Sequence, residues 1–225
     1  MKLFIAGTDT NIGKTYISVG LLKAFHQRGL STIGMKPLAS GCQQIQNKLY
    51  NDDALLLQKT ASISLDYEKI NPFLFAEFAA PHLAAKKVGR LLNVEQLITQ
   101  SHFALNHSAD IHLIEGIGGW YVPLNQQETM ADFVKHQQFA VILVIGIRLG
   151  CLNHGILTYK AMQQDKINLI GWIANCIEDD MPFCEENIST LEHWIAAPLL
   201  GTVKYNENPE EKINMQTLII NFRRH

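Results

Sequence analysis

Lysine, threonine and carboxylate side chains follow several apolar runs of this sequence, at positions that suit phosphate and metal chemistry. The segment GTDTNIGKTY, residues 7–16, comes directly after the apolar run KLFIA. It nearly fits the phosphate-loop pattern G-x-x-x-x-G-K-[ST], but its first glycine is Gly7, one place early. A strand, a glycine-containing loop and a helix that opens with Lys14 and Thr15 still predict a phosphate-binding loop, in a variant form.

The residue types of this loop match what the phosphates of a nucleotide require. Gly13 lets the backbone approach an anion without a Cβ in the way, and the amides and dipole of the following helix favour negative charge. Lys14 would neutralise the β- and γ-phosphates, and the Thr15 hydroxyl would bind Mg²⁺, which prefers oxygen ligands. The alternative is an ordinary helix start with a capping Thr or Asn, and the preceding strand disfavours it.

Two carboxylates are candidates for the metal ion that accompanies phosphoryl transfer. Glu115 ends the apolar run IHLIE and is followed by GIGG, which places its carboxylate at the end of a predicted strand. A solvated acid at a strand end is the alternative. Asp53 lies in NDDALLLQ, where the local pattern favours a different interpretation, in which Asp52 or Asp53 caps the helix that follows.

A second lysine closes the second predicted strand, in MKPLASG. Pro37 disfavours a helical conformation for Lys36. If the first and second strands are near neighbours, Lys36 faces the same pocket as Lys14, where two ammonium groups could stabilise the charge that develops during transfer. Local sequence alone slightly favours a solvated lysine. Ser40 and Gly41 suit either the close approach of a substrate or a plain turn.

The elements that would position these side chains alternate along the chain. Several apolar runs are nearly unbroken, which indicates parallel strands that are buried on both faces. The pattern predicts one α/β domain over residues 1–225, with a doubly wound, mostly parallel sheet of the nucleotide-binding type and its sites beyond the carboxyl ends of the strands. The predicted strands are 2–7, 31–36, 111–116, 140–146, 169–175 and 198–203, and the predicted helices 14–28, 53–60, 93–107, 153–164 and 184–195.

The composition narrows the class of protein and its partners. The chain has 225 residues and a formal net charge of −2, without a basic block that would indicate nucleic-acid binding. The longest apolar run, FAVILVIGI, is too short to cross a bilayer. The N-terminus enters a strand-like run without the features of a secretion signal. Its cysteines are scattered along the chain, at Cys42, Cys151, Cys176 and Cys184. This spacing argues against a disulfide framework or a zinc site. We therefore expect a cytoplasmic protein that binds neither nucleic acid nor membrane.

Several segments together resemble the dethiobiotin synthetases of the biotin pathway. The resemblance runs from about residue 3 to residue 210, and the combination of GTDT-x-x-GKT, KP-x-x-SG and EG-x-GG is highly specific. The early glycine is that family's own form of the phosphate loop. The matching segments are GTDTNIGKT, MKPLASG, NDDALLLQ, NPFLFAEFAAPH, IEGIGGWYVPL, DFV, VILVIGIRLGCLNH, IGWIAN and APLLG, in that order.

The resemblance implies a reaction between 7,8-diaminononanoate, CO₂ and Mg-ATP. In that family one amine becomes a carbamate, ATP phosphorylates the carbamate to a mixed anhydride, and the second amine closes the ureido ring and expels phosphate. Carried onto this chain, Lys14 and Lys36 would be catalytic and would stabilise the carbamate and the phosphoryl group. Thr15, Asp53 and Glu115 would hold Mg²⁺.

The resemblance also implies how nucleotide and substrate are held. The family is a homodimer with its active site at the interface, so residues 148–154 of the partner chain would receive the far carboxylate of the substrate. Asn175 would read the adenine, and for Asn153 a helix N-cap is the alternative. The implied nucleotide-binding residues are Asn11, Ile12, Gly13, Lys14, Thr15, Tyr16, Asp53, Glu115, Gly116, Ile117, Gly118, Asn175, Cys176, Val203, Lys204 and Tyr205. The implied substrate-binding residues are Thr10, Ser40, Leu149, Gly150, Cys151 and Asn153.

The chain departs from the family pattern near the expected adenine pocket. Cys176 stands where the family has an acidic or other polar residue, and Lys204 with Tyr205 stands where it has a proline and a bulky residue. These differences concern recognition of the base rather than the phosphate chemistry.

Two other classes of protein share parts of this pattern. Amidating ligases of the cobyrinate type carry a glutamine-hydrolysing domain with a nucleophilic cysteine, and this sequence has no such extension. Partitioning ATPases act as nucleotide switches on DNA or membranes and usually have a further lysine early in the loop. This chain has Thr8, Asp9 and Thr10 there, which disfavours the switch.

Overall fold

A parallel β-sheet with helices on both faces forms the framework of the protein. The computed structural model describes residues 1–223. The main sheet has six strands, all parallel, and the remaining strands form two short pairs. The strands are β1 (Lys2–Gly7), β2 (Thr32–Met35), β3 (Leu38–Ala39), β4 (Gln43–Ile45), β5 (Lys48–Tyr50), β6 (Phe73–Leu74), β7 (Ile111–Glu115), β8 (Ala140–Ile147), β9 (Leu169–Cys176) and β10 (Leu199–Val203).

The helices follow the strands and cover both faces of the sheet. The short helices α3, α4 and α9 lie in connections, whereas the longer ones pack on the sheet or on each other. They are α1 (Lys14–His26), α2 (Asp52–Thr60), α3 (Tyr67–Ile70), α4 (Pro81–Lys87), α5 (Val94–Asn106), α6 (Met130–Gln137), α7 (Cys151–Gln164), α8 (Cys184–Trp194), α9 (Pro209–Lys212) and α10 (Met215–Arg223).

The core lies on the two faces of the main sheet. Successive residues of β1 point to opposite faces, so Leu3 and Ile5 belong to one apolar cluster and Phe4 and Ala6 to the other. Every residue of β8 is buried. The predicted doubly wound α/β class is therefore confirmed, and the unbroken apolar runs are strands covered on both sides.

The order of the strands corrects one assumption made from the sequence. The main sheet runs β10-β9-β8-β1-β7-β2, so β1 and β2 are not neighbours and β7 lies between them. A crossover connection can pass over a neighbouring strand, and sequence order does not reveal this. The consequence is that Glu115, at the end of β7, lies between the ends of the two strands whose loops carry Lys14 and Lys36.

The predicted bounds are close to those observed, with several elements missed. Helix α1 ends at His26 rather than at residue 28, and α7 begins at Cys151 rather than at residue 153. The sequence pattern did not reveal the helices α3, α4, α6, α9 and α10 or the short strands β3 to β6. Helix α6 carries a capping box between Thr129 and Asp132 that could have revealed it. The last two residues of the predicted domain, 224 and 225, lie outside the described part of the chain. Among the described helices, none combines the length with the hydropathy that a bilayer span needs.

Candidate active site

The phosphate loop leaves the carboxyl end of β1 and enters α1. Asn11 and Gly13 have positive φ angles of 57° and 82°, and Gly13 directly precedes the helix. The Asn175 side chain at the end of β9 donates a hydrogen bond of 2.8 Å to the Ile12 carbonyl. A Cβ on Gly13 would lie 2.1 Å from the Asn175 amide nitrogen, so only glycine allows this contact. Asn175 therefore holds the loop in place through this hydrogen bond.

The early glycine makes room for the lysine of the loop. The Lys14 ammonium folds back over the end of β1 and donates hydrogen bonds of 2.7 Å to the Asp9 carbonyl and 2.8 Å to the Gly118 carbonyl. A Cβ on Gly7 would lie 2.9 Å from Lys14 Cδ and 3.0 Å from Lys14 Nζ. A glycine at position 7 therefore permits the path of the lysine side chain, which explains the variant spacing in physical terms.

Lys36 lies at the centre of a buried cluster of opposite charges. Its ammonium is 2.5 Å from Glu115 Oε1 and 2.9 Å from Asp53 Oδ2. The Thr15 hydroxyl donates to the same Glu115 oxygen at 2.9 Å. Lys36 is 5% exposed and Glu115 1%. The structure therefore contradicts the solvated interpretation of Lys36 and brings together four side chains that come from widely separated parts of the chain.

Burial and charge together set the protonation of the two lysines. Burial alone would lower the pKa of Lys36, but the Glu115 and Asp53 carboxylates outweigh it and raise that pKa. Burial would raise the pKa of Asp53, yet Lys36 and the Thr15 hydroxyl lower it. Burial and the nearby Lys36 ammonium lower the pKa of Lys14 to about 8. Lys36 is therefore charged at neutral pH, whereas the pKa of Lys14 lies close to neutral pH.

The expected magnesium ligands form an oxygen-rich set that fits a hard cation. Glu115 Oε2 is buried and has no hydrogen-bond partner in the described part of the chain, which leaves this oxygen free to accept a ligand. The Thr15 hydroxyl and the Asp53 carboxylate lie next to it, and both supply the oxygen that Mg²⁺ prefers. Within residues 1–223, no group of three His, Cys, Asp or Glu side chains forms a metal cage, so phosphate oxygens would complete the coordination.

A cavity of about 810 Å³ opens above the carboxyl ends of the central strands. It contains most of the residues that the sequence analysis linked to phosphate, metal and substrate. The predicted residues in its lining are Thr10, Asn11, Gly13, Lys14, Thr15, Lys36, Ser40, Asp53, Glu115, Ile117 and Gly118. The other lining residues were not singled out from the sequence, although the matching segments contain all of them, within FAAPH and GWYVP: Phe78, Ala79, Ala80, Pro81, Gly119, Tyr121, Val122 and Pro123.

The remaining predicted nucleotide residues lie around the cavity rather than in its lining. Ile12 is buried against Gly146, and Gly116 lies against Phe4. The Tyr16 hydroxyl donates to the Glu207 carbonyl at 2.6 Å, which ties α1 to the segment after β10. Val203, the last residue of β10, is buried, whereas Lys204 and Tyr205 of the following segment are exposed.

Cys176 points away from the cavity. Its sulfur lies 3.2 Å from the Cys184 sulfur at the start of α8, and the residue is 5% exposed. Burial and this contact raise the pKa of the Cys176 thiol to about 12, so the thiol is neutral. The side chain at this position therefore packs in the core, and its departure from the family pattern does not place a different group in the cavity.

The predicted substrate-binding segment lies at the end of β8, on the same edge of the sheet. Leu149 is 91% exposed, and Gly150, with a φ angle of 92°, is the N-cap of α7. Asn153 lies inside the first turn, so the N-cap alternative for it is wrong. These residues and Cys151 do not line the cavity of their own chain.

An ion pair that the sequence analysis missed connects this segment to the phosphate loop. The Arg148 guanidinium bonds to the Asp9 carboxylate, and the Asp9 carbonyl accepts from Lys14. The only signal in the sequence was an acidic residue within the loop, which is common in surface turns. The pair therefore depends on the adjacency of β1 and β8, which the sequence pattern did not provide.

The helix that carries Asp53 is capped by another residue. The Asn51 side chain accepts a hydrogen bond of 3.2 Å from the Ala54 amide at the start of α2. The expectation that Asp52 or Asp53 caps this helix is therefore wrong. Because Asn51 caps the helix, the Asp53 carboxylate is free to turn towards Lys36.

Sequence comparison links the chain to known proteins over nearly its whole length. An AAA domain family matches residues 1–212. An ATP-dependent dethiobiotin synthetase BioD of Cellvibrio japonicus is 46% identical over 200 residues, which cover 89% of this chain and 87% of that protein. Proteins of the same name from Tolumonas auensis and Pseudoalteromonas translucida are 40% and 41% identical, and the alignments cover 92% and 97% of those proteins and 93% and 98% of this chain.

The chain belongs to the family of ATP-dependent dethiobiotin synthetases. It is therefore an ATP-dependent ligase of biotin biosynthesis, and the resemblance seen in the sequence motifs is confirmed. Identity of this extent over most of the chain favours the synthetase family over the amidating ligases and the partitioning ATPases considered from the sequence.

Comparison with solved structures shows how widely the fold of these synthetases is shared. A ParA family ATPase of Chlorobium tepidum matches with a TM-score of 0.56 over 97% of this chain and 89% of that chain, at 15% identity. A chain of the MinC:MinD cell division protein complex of Aquifex aeolicus matches with a TM-score of 0.54 over 99% and 94%, at 10% identity. At such low identity the similarity establishes the fold and nothing about function.

Proposed function

We propose that the protein converts 7,8-diaminononanoate, CO₂ and ATP into dethiobiotin, ADP and phosphate. The observation that carries this proposal is the cluster around Lys36, where Glu115 at 2.5 Å and Asp53 at 2.9 Å hold a buried ammonium beside the phosphate loop. Such a site suits a reaction in which anionic groups meet and react. Membership in the synthetase family supports dethiobiotin as the product.

The reaction proceeds in steps for which positioning is more important than acid–base catalysis. One amine of the substrate takes up CO₂ as a carbamate, and a carbamate oxygen attacks the γ-phosphorus of ATP with ADP as the leaving group. The second amine of the same molecule then attacks the carbonyl carbon of the mixed anhydride, closes the ring and expels phosphate. Because both amines belong to one bound molecule, ring closure is intramolecular and gains from orientation.

The two lysines stabilise the negative charge that accumulates between carbamate and ATP. Lys14 lies in the phosphate loop, where its ammonium can move from the Asp9 and Gly118 carbonyls to phosphate oxygens. An anionic neighbour raises the pKa of Lys14 above its value of about 8 and so keeps the ammonium charged in the complex. Lys36 is fixed by its carboxylate partners and supplies a preorganised charge on the other side of the transferred group.

Thr15, Asp53 and Glu115 would hold Mg²⁺. An ion held by these oxygens would supply charge neutralisation to the phosphates of ATP. The buried, unpartnered Glu115 Oε2 supports this assignment, because a carboxylate oxygen that lacks a partner in the protein requires one from a ligand. Thr10 and Ser40 lie on the cavity wall at a position that suits the diamine.

We also propose that the active protein is a cytoplasmic homodimer with its site at the interface. Residues 149–153 lie on the correct edge of the sheet yet outside the cavity of their own chain, and Leu149 is 91% exposed. A partner chain could therefore present its α7 N-terminus to this cavity, and a helix N-terminus favours the carboxylate of the substrate. The adenine would lie beside Asn175 and residues 203–205, where the Tyr205 ring is exposed.

A single assay tests the function. The purified protein is incubated with 7,8-diaminononanoate, bicarbonate and Mg-ATP, and we expect a ureido product and ADP in equal amounts. Leaving out the diamine should abolish ADP formation above the background rate. ATP hydrolysis that DNA or lipid stimulates, and that is indifferent to diamine and bicarbonate, would instead support a nucleotide switch.

The Lys36→Ala variant provides the matched test of the site, with Lys59→Ala as its control. Lys59 lies in the last turn of α2, is exposed, and is absent from the cavity lining. We expect the first variant to lose the ureido product and the second to keep it. Equal activity in both variants would refute the role of Lys36.

A further inference from the structure

Tyr67 and Asn71 connect the backbone of Lys36 to the start of α2, the helix that carries Asp53. Both residues belong to the connection between α2 and β6, and neither lines the cavity. They are part of a closed circuit of contacts that begins at the Lys36 carbonyl and returns through Asp53 to the Lys36 ammonium. No sequence motif considered above assigned a role to either side chain.

The first half of the circuit holds the backbone of Lys36. The Asn71 side chain is completely buried, and both ends of its amide are used. Its nitrogen donates to the Lys36 carbonyl, and its oxygen accepts from the Tyr67 hydroxyl at 2.8 Å. The Lys36 amide in turn donates to the Ile70 carbonyl at 3.0 Å. The residues at the end of α3, Ile70 and Asn71, therefore fix both backbone polar groups of Lys36, directly before Pro37.

The second half of the circuit holds the start of the helix that carries Asp53. The Tyr67 hydroxyl accepts a hydrogen bond of 2.7 Å from the backbone amide of Asn51, the N-cap of α2. Asp53 is two residues further along, in the first turn. Burial raises the pKa of Tyr67 to about 12, so the hydroxyl keeps the proton that it donates to Asn71. The Tyr67 hydroxyl, together with the Asn71 amide, thus joins the end of β2 to the start of α2.

We propose that Tyr67 and Asn71 are positioning residues that set the alignment of Lys36 with Asp53 for phosphoryl transfer, an inference that rests on the proposed function. Neither residue lines the cavity. Lys36 has a long and flexible side chain, and its ammonium can be placed accurately only if the backbone of Lys36 and the helix of Asp53 keep a fixed separation. The Tyr67 hydroxyl binds the Asn51 amide directly and reaches the Lys36 carbonyl through Asn71, so its loss breaks this connection between the two elements.

The main test is Tyr67→Phe, with Tyr50→Phe as the matched control. The Tyr50 ring packs against the Tyr67 ring with their centroids 4.9 Å apart, and its hydroxyl makes no hydrogen bond within residues 1–223. We expect Tyr67→Phe to lower kcat about tenfold with KM for ATP changed less than about twofold, because misplacement of a charge affects the transition state more than binding. Tyr50→Phe should keep the kcat of the wild type. Equal kcat in Tyr67→Phe and wild type would overturn the inference.

A double variant separates positioning from general destabilisation. In an Asp53→Asn background the ion pair with Lys36 is absent, so adding Tyr67→Phe should lower kcat no further. The same tenfold loss in that background would show that Tyr67 acts elsewhere and would refute the proposal.

If Tyr67→Phe does not fold at the assay temperature, Asn71→Asp replaces it, because this variant keeps the acceptor for Tyr67 and loses the donor to the Lys36 carbonyl.

Crystal structures of the wild type and Tyr67→Phe keep the test independent of the diamine reaction. We expect the Lys36 Nζ to Asp53 Oδ2 separation, 2.9 Å here, to open beyond ion-pair distance in the variant. An unchanged separation would overturn the inference even if no dethiobiotin were ever formed. Absence of turnover in the wild type, with an opened ion pair in the variant, would refute the proposed function and leave the positioning role supported.

Discussion

The phosphate side and the base side of the proposed nucleotide site are built differently. On the phosphate side, Lys36 and Glu115 are almost completely buried and held by charged hydrogen bonds from separate elements. On the base side, Lys204 is exposed and Tyr205 is 48% exposed, in a short turn after β10. In the proposed site, the chain would therefore preorganise the part where charge develops. Recognition of the base would be left to a surface segment.

The largest expected effect comes from removing either lysine on the phosphate side. Lys14→Ala or Lys36→Ala should lower kcat by about two to three orders of magnitude, the scale for loss of a preorganised charge-stabilising donor. Steady-state formation of the ureido product measures the effect. The control is Lys204→Ala on the base side, which should change kcat less than about twofold. Comparable losses of kcat in all three variants would show that the two sides contribute equally to catalysis and would contradict the comparison.

A smaller effect should follow from a methyl group placed under Lys14. Gly7→Ala brings a Cβ to 2.9 Å from Lys14 Cδ, so the flexible lysine has to leave its position. We expect kcat to fall about tenfold or more with little change in thermal stability. Gly29→Ala is the control, because this residue has a φ angle of 72° and open space around it. The control should be less stable, by about 1 kcal/mol, with normal kcat. Reversed outcomes would contradict the explanation of the early glycine.

The pH dependence of ATP binding tests the protonation of Lys14. Its pKa of about 8 means that the ammonium is present below that pH and is lost above it. The affinity for ATP should therefore fall as pH rises above about 8, by up to about tenfold per pH unit, the limit for uptake of one proton. Lys36 has a raised pKa and stays charged over this range. Calorimetric titrations on Lys14→Met should lack the decline, and an equal decline in that variant would assign it to another group.

The smallest effect on catalysis is expected for Cys176 on the base side. Because its thiol faces Cys184 rather than the cavity, Cys176→Asp should change the preference for ATP over GTP by less than about twofold. It should instead lower the melting temperature, because a carboxylate would be buried without a partner. Cys184→Asp should cost less stability, since that residue is only half-buried. A marked gain in nucleotide discrimination would place the side chain of residue 176 at the base after all.

Strands and the phosphate loop were predictable from the sequence because local pattern and burial act together there. The apolar runs identified all six strands of the main sheet within one residue at each end, because a strand covered on both faces has to be apolar throughout. Gly13, Lys14 and Thr15 were recognised because a phosphate loop needs those residue types in consecutive order. Short helices such as α4 and α9 were missed, since four to seven residues provide too little periodicity.

The types of the charged residues were visible in the sequence, but their contacts were not. From local pattern, Asp53 looked like a helix cap and Lys36 like a solvated lysine. In the structure Asn51 provides the cap, Asp53 pairs with Lys36, and Asn175 holds the phosphate loop. The cap is a local contact, whereas the other two contacts join residues far apart in the chain, and sequence spacing does not encode which distant segments meet.

The sequence by itself determined the class of fold, the phosphate loop and the identity of the charged residues at the strand ends. Those features depend on interactions between residues close in the chain and on the burial of apolar runs away from water. The tertiary structure alone decided that β7 lies between β1 and β2, and therefore that Glu115 meets both Thr15 and Lys36. The physical reason is that a buried ion pair is stable only when partners from distant segments are held together, and packing of the whole sheet does this.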